Sequence, residues 1–230
     1  MRTVLSTLTV ALATASLVSA TDWTTWRADS SRSGYTADVV PEQPVLRWTW
    51  YPRHAPSSAW PRDDRLEFDR VNHVVVAGGL VCFGNSADGK VSALDAATGA
   101  LKWSFFTEGP VRFAPVVWKD RLFVVSDDGY LYCLNLQDGT LINRWRGGTR
   151  EDRVLGNSQM ISKLPARGGP VIHGGVLYWA AGIWQSEGVF IHAMNPDTGE
   201  LVWTNDQSGG ISMPQPHGGA IAKSGVSAQG

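Results

Sequence analysis

The sequence predicts an all-β fold of repeated four-stranded antiparallel blades, and three observations support that prediction. First, residues 80–103, 121–145 and 176–203 share one pattern, each ending on a tryptophan: Trp103, Trp145 and Trp203. Second, the turn glycines of these units, Gly99, Gly139 and Gly199, are 40 and 60 residues apart. The first spacing fits the roughly 40–45-residue period of a propeller blade. Third, 25 glycines and 11 tryptophans with only 18% charged residues describe a chain rich in turns and aromatic packing, which excludes a disordered polypeptide. The formal net charge of −1 argues against a nucleic-acid binder, which shows a basic excess.

Taken in order, residues 1–20 read as a removable export signal. Arg2 supplies the basic start, residues 4–18 are mostly apolar, and Val18-Ser19-Ala20 fits a small-x-small cleavage site. No cysteine follows that site to take a lipid anchor. No later run reaches the ~18 apolar residues of a spanning helix. The expected location is periplasmic or extracellular. Residues 21–71 form a lead-in segment with a long loop, and residues 72–230 form the repeats. Blades are expected over about 72–106, 113–147 and 168–205, with the start of a fourth at 216–230, its first strand at 218–223.

Each blade reads as strands A to D. Strand A (74–76, 115–118, 170–173) is followed by a two-residue turn, and Gly78-Gly79 and Gly174-Gly175 suit the positive φ of a tight hairpin. Strand B (80–84, 121–126, 176–181) precedes strand C, whose apolar residues alternate, as Val91 and Ala93 or Leu131 and Cys133 do. The C–D turns begin on Asp95, Asn135 and Asn195 and close on the three glycines. The Asp or Asn side chain bonds the turn's own backbone, and the glycine takes a left-handed conformation. The tryptophan ending strand D is expected to pack between blades, because a lone four-stranded sheet cannot bury both faces. Cys82 and Cys133 either pair in an oxidising compartment or remain buried thiols.

The shared motif resembles the PQQ-type propeller repeat. Asp88-Gly89, Asp128-Gly129, Thr98-Gly99, Thr198-Gly199 and the three tryptophans bear the likeness, over about residues 72–205. The segment containing Asp22-Trp23, Trp26-Arg27 and Arg32-Ser33-Gly34-Tyr35-Thr36 resembles the lead-in of exported propellers of this type. The repeat occurs in quinoprotein alcohol dehydrogenases and in the outer-membrane protein assembly factor B group. The resemblance therefore implies a propeller, and either an enzyme or a binding scaffold. Propellers have typically about four to eight blades. Three blades and a lead-in make an incomplete ring, expected to be an N-terminal fragment of a longer propeller. The other expectation is an open arc completed by another chain through its exposed edge.

Chemistry is expected on one face. Strand alternation sends the D–A and B–C loops to one side and the short A–B and C–D turns to the other. The D–A segment from Gly139 to Pro170 is 15 residues longer than that from Gly99 to Pro115, and the third B–C loop is also extended. Long loops grouped on a rigid scaffold are the usual place for binding. The candidate ligand-binding residues are Arg146, Arg150, Arg153, Asn157 and Arg167, with Trp184, Trp60 and His217. Arginine beside aromatic surface suits carboxylates, acidic saccharides or an acidic peptide. The competing expectation pairs these arginines with Asp63, Asp64, Asp69, Glu151 and Asp152 to order the loops.

No nucleophile elbow, dinucleotide fingerprint, P-loop or paired-histidine zinc motif occurs. The five histidines are scattered, and residues 126–129 lack the ligand spacing of a calcium loop. No catalytic residue and no metal ligand is assigned. Quinoprotein dehydrogenases hold their quinone between a tryptophan and a disulfide of adjacent cysteines, above a calcium bound by Glu, Asn and Asp. Cys82 and Cys133 are 51 residues apart. No cofactor is evident, and PQQ with calcium belongs only to the alternative reading of an oxidoreductase or a fragment of one. The expected function is an exported, non-catalytic propeller whose loop face binds a protein, peptide, glycan or other anionic ligand.

Overall fold

The computed structural model describes residues 21–58, 71–156, 158–183 and 187–206. The described residues are all-β. The first sheet joins β1 (Val74–Ala77), β2 (Leu80–Gly84), β3 (Lys90–Asp95) and β4 (Leu101–Phe106). The second joins β5 (Val116–Trp118), β6 (Arg121–Val125), β7 (Tyr130–Asn135) and β8 (Leu141–Arg146). A two-stranded hairpin follows, β9 (Arg153–Gly156) and β10 (Gln159–Ser162). The last sheet joins β11 (Gly168–His173), β12 (Val176–Ala181), β13 (Phe190–Met194) and β14 (Leu201–Asn205). Within each four-stranded sheet the spatial order follows the chain and every pairing is antiparallel. These are the blades of an incomplete propeller.

The turn chemistry repeats almost atom for atom. Asp95 Oδ1 accepts from the backbone N–H groups of Ala97 and Thr98 at 3.1 and 2.9 Å. Asn135 and Asn195 make the same pair of bonds in their own turns. Gly99, Gly139 and Gly199 then sit at φ of +73°, +73° and +74°, a conformation that side-chain-bearing residues enter only with strain. One residue before each turn the C–D ladder slips by a bulge, at Ala93/Leu94, Cys133/Leu134 and Ala193/Met194.

Packing between blades follows an alternating rule. One face of the first sheet (Val75, Cys82, Val91, Ala93) meets the facing side of the second (Val117, Leu122, Val124, Leu134) in one buried cluster. The other face of the second sheet (Val116, Phe123, Leu131, Cys133) meets Leu177, Trp179 and Met194 of the third in another. Cys82 and Cys133 thus lie in different interfaces. Both are free thiols, and burial pushes them up to about 12 and about 11. Of the two sequence-based expectations for the cysteines, the structure has the buried thiols.

The strand-D tryptophans lie against the glycine turn of the next blade. A Cβ on Gly139 would come within 2.4 Å of the Trp103 ring, and one on Gly199 within 2.3 Å of Trp145. Trp103 Nε1 also donates to Leu136 O at 3.0 Å. Trp203 is 44% exposed. A further tryptophan, outside the three sequence repeats, does the same work. Trp48 lies over Gly99, and its Nε1 donates to Ala96 O at 3.0 Å, at the position equivalent to Leu136.

The lead-in ties the three sheets together at the ends of their first strands. Trp23 makes a two-way backbone bridge with Val76 of β1. Thr24 O accepts from Val117 N of β5 at 2.8 Å, and Ser30 Oγ lies 3.0 Å from Nδ1 of His173 in β11. Sheet order puts β8, the outer strand, at the opposite side of its sheet from β5.

Candidate functional site

The D–A and B–C connections meet on one face, where charged groups form two layers. The deeper layer is an ion triad. Asp127, in the B–C turn of the second blade, accepts from Arg112 Nε at 2.7 Å on Oδ2. Arg167 donates to the same carboxylate through Nε at 2.8 Å and Nη2 at 2.7 Å. All three side chains are buried. Arg112 comes from the link between the first and second blades and Arg167 from the link entering the third. One carboxylate therefore joins three chain segments. Arg112 Nη1 reaches a fourth, donating to Ser57 O at 2.7 Å.

Beside the triad, Asp128 takes a hydrogen bond from the Tyr132 hydroxyl at 2.6 Å and from the Glu108 N–H at 2.9 Å. Burial raises its pKa, and these hydrogen bonds oppose the rise. Burial also raises the Tyr132 phenol, with the Asp128 charge adding to the shift.

The outer layer surrounds a cavity of about 220 Å³ lined by Glu108, Asp128, Tyr130, Arg144, Arg150 and Arg153 among others. Glu108 pairs with Arg153 and, at 3.4 Å, with Arg144. Arg146 pairs with Glu151 at 2.6 Å, and the Tyr130 hydroxyl donates to the same carboxylate. The Arg144 guanidinium lies 4.6 Å from the centre of the Tyr130 ring. Arg150 bridges Asp152 at 3.6 Å and Glu187 at 2.8 Å, and Lys163 joins Glu187 at 3.0 Å. Glu187 belongs to the third blade's B–C loop. The two extended loops picked out from the sequence therefore touch. Each such exposed pair contributes only about 0–1 kcal/mol, so the layer sets geometry more than stability.

Above this lattice stands the β9–β10 hairpin. Leu155 and Met160 are cross-strand partners, so both side chains share one face of the ribbon, and they are 73% and 51% exposed. Lys163 N donates to Asp152 O and Ser162 N to Asp127 O, which holds the ribbon's base to the deeper layer. Gln159 Nε2 donates to Ala87 O at 3.1 Å, tying the tip to the first blade. A two-stranded ribbon is marginal alone, so these anchors keep it upright.

The sequence-based candidates separate into three groups. Arg146, Arg150 and Arg153 come together on the outer layer, each paired with a carboxylate. Arg167 lies below them, buried against Asp127. Trp60, Asn157, Trp184 and His217 lie outside the described residues, as do the proposed signal at 1–20 and the fourth-blade start at 216–230. The pairings with Glu151 and Asp152 are those the competing expectation named, and Asp63, Asp64 and Asp69 lie outside the described residues. Sequence reasoning missed Glu108, Arg112, Asp127 and Arg144 as members of this constellation. The cluster lies against outer strand β8, away from the first strands that approach one another.

Acidification gives an expected result here. Hydrogen bonds from Arg153 to Glu108 and from Lys163 to Glu187 hold both carboxyls below the usual range. Their contribution is present above about pH 4.3 and is lost as pH falls through the lower folded values. Asp128 runs the other way: its raised pKa contributes stability below about pH 3.9 that is lost as pH rises through its folded value. Between pH 6 and pH 3 the hairpin amides should exchange several-fold faster, after correction for intrinsic rates, while those of β6 stay protected. Equal protection of both across that range would remove the lattice's role in holding the ribbon.

Among the described residues no helix is long and apolar enough to cross a membrane, and no three His, Cys, Asp or Glu groups cluster to hold a metal ion. A family model described as outer membrane protein assembly factor BamB matches residues 13–165. No curated protein matches the sequence. Among solved structures, the quinohemoprotein alcohol dehydrogenase of Comamonas testosteroni aligns with TM-score 0.59 at 20% identity, over 80% of this chain and 27% of its own. That of Pseudomonas putida HK5, ADHIIG, aligns with TM-score 0.53 at 17% identity, over 80% and 26%. BamB from Moraxella catarrhalis aligns with TM-score 0.43 at 18% identity, over 61% and 40%. The chain thus spans 26–40% of the length of these proteins. At such identities the alignments with TM-scores above 0.5 speak for the fold alone.

Proposed function

The chain belongs to the family described as outer membrane protein assembly factor BamB, and from that premise we propose that it is an exported, non-catalytic propeller that binds a protein partner through its D–A and B–C loop face. The observation that carries this reading is the exposed Leu155–Met160 pair, raised above a charge-matched rim. Apolar side chains exposed to water on an anchored ribbon, with polar groups around them, have the anatomy of a protein interface. The rim also argues for a polypeptide over a small anion. Arg146, Arg150 and Arg153 already have carboxylate partners, so an incoming anion would have to displace one. An acidic peptide segment can exchange with Glu108 or Glu151 while its apolar residues cover Leu155. Export is supported by the leader-like residues 1–20.

The alternative is a PQQ-dependent oxidoreductase or a piece of one. The described residues do not fit a quinone–calcium centre of the kind the resemblance implies. Cys82 and Cys133 face separate cores, and no acidic cluster of metal-holding size forms among the described residues. Stoichiometric binding of added PQQ and Ca²⁺ with dye-linked alcohol oxidation would overturn the binding reading.

A photoreactive group in place of Met160 should give one dominant protein adduct in the cell that makes the chain. Leu155→Asp should reduce that adduct at least tenfold, and the thermal midpoint should stay within about 2 °C, because the Leu155 side chain is exposed. An undiminished adduct would place the partner elsewhere.

A further inference from the structure

We propose that the cavity between the lead-in and the starts of the first strands binds a free short-chain carboxylic acid, with Arg32 gripping its carboxylate. The cavity has a volume of about 120 Å³ and is lined by Thr25, Trp26, Arg32, His73, Phe113 and Ala114 among others. It is separate from the charged rim of the loop face, and no residue lines both cavities. The first argument is the state of Arg32. Arg112, Arg144, Arg146, Arg150, Arg153 and Arg167 all have carboxylate partners. The half-buried Arg32 has none among the described residues. Its guanidinium carbon lies 4.9 Å from the centre of the Trp26 ring, and Trp26 meets the His73 ring edge-on at 6.1 Å. The indole covers one face of the guanidinium, which leaves the N–H edge to hold a carboxylate through two parallel hydrogen bonds.

The second argument is the backbone that carries Arg32. Arg27, Ala28 and Arg32 have φ of +58°, +78° and +55°, so three residues with side chains occupy the left-handed region within one short turn. Such strain persists only where surrounding bonds fix it, and it gathers at ligand clamps. Here Asp29 O accepts from Arg32 N at 2.9 Å and Arg27 O from Gly34 N at 2.8 Å. The Asp29 carboxylate accepts from the backbone N–H and the hydroxyl of Ser33, so the acid nearest in sequence to Arg32 is turned to another partner. The third argument is Thr25. It is only 8% exposed, and among the described residues its hydroxyl makes no hydrogen bond. A buried hydroxyl without a partner is costly, and a ligand oxygen in the cavity would satisfy it. Phe113 and Ala114 supply apolar surface for a short hydrocarbon tail. An apolar cavity of about 150 Å³ accepts a benzene ring, so the occupant here has about five or six heavy atoms, as butyrate does.

The test is a titration of the full chain with butyrate, followed by NMR of isotope-labelled threonine, alanine and methionine methyl groups. The Thr25 and Ala114 methyls should shift saturably, with a dissociation constant below about 10 mM, while the Met160 methyl on the loop face stays still. Butanol and butylamine, which lack the anion, should leave all three unmoved. Arg32→Gln makes the same backbone demand and should weaken binding at least tenfold. Thr25→Val preserves shape and should weaken it several-fold, read from the Ala114 methyl, so the result does not depend on one variant. Absence of saturable shifts, equal shifts with sulfate, or undiminished binding by Arg32→Gln overturns the proposal. So does tighter binding of an acetylated tripeptide acid than of butyrate, which would make the occupant the end of a polypeptide. The loop-face reading is decided by the Met160 adduct, so the two fail separately.

Discussion

Asp127→Ala should lower the free energy of unfolding by about 3–5 kcal/mol, among the largest effects expected of a single change in this protein. The carboxylate is buried between two guanidinium groups that are themselves buried. Removing it leaves two cations facing one another in a site where water does not compensate them. Breaking a buried pair by deleting one partner costs far more than the pair contributes relative to an apolar replacement. The damage should also be spread widely. Asp127 holds the link before the second blade through Arg112 and the link into the third through Arg167, and its own carbonyl accepts from Ser162 at the base of the hairpin. Urea unfolding followed by tryptophan fluorescence measures the loss. Asp127→Asn keeps the shape without the charge and should recover only a small part of it. A loss below about 1 kcal/mol for the alanine variant would mean that solvent reaches the triad, and the account given for it would fail.

Gly139→Ala should cost more than Gly79→Ala, although both residues sit at nearly the same positive φ, +73° and +77°. That comparison separates two effects that usually come together. At Gly79 an added Cβ meets nothing within 4 Å, so only backbone strain is felt, about 1 kcal/mol. At Gly139 the same carbon would lie 2.4 Å from the Trp103 ring. The indole would have to move off the turn, and its hydrogen bond to Leu136 would go with it. An overpacked, well-ordered contact adds about 1–3 kcal/mol to the strain. Thermal unfolding of the two variants gives the difference directly. Equal midpoints would show that the tryptophan yields freely and that its close contact is incidental.

The repeat made most of the blade architecture readable, and the physical reason is periodicity. The A–B and C–D turns need positive φ at fixed positions, so glycine and Asp or Asn mark them along the chain. The bulge before each C–D turn left no such mark, since it is a slip of register and not a choice of residue. Trp48 escaped notice because only its D-strand pattern is present, without the A–B–C strands that drew attention to the other units. The hairpin's strands are four residues each and carry adjacent apolar pairs in place of an alternation, so only the turn signal Gly156-Asn157-Ser158 marks them in the sequence.

The site was less legible. Arg146, Arg150 and Arg153 were found as a local excess of positive charge, but the partner that organises Arg153, Glu108, lies 45 residues earlier. Arg167 looked like a fourth member and instead belongs to the buried triad, because a charge count cannot distinguish a surface arginine from one paired inside. Asp127 and Asp128 are neighbours with separate duties, one joining three segments and the other receiving Tyr132. The turn itself is marked by Asp128-Gly129, but nothing in the four residues Ser-Asp-Asp-Gly announces the division of duties between the two carboxylates.

The lead-in changes how the array should come apart. Stacked repeats that touch only their neighbours behave as a one-dimensional chain and tend to unravel from an end. Here a single short segment bonds to β1 through Trp23, to β5 through Thr24 and to β11 through Ser30. The third blade cannot swing away without breaking its hydrogen bond to that strap, nor can the strap leave without loosening all three first strands. The strap thus links the outermost described blades to each other as well as to the middle one, and it makes their opening a shared event rather than a sequence of separate ones.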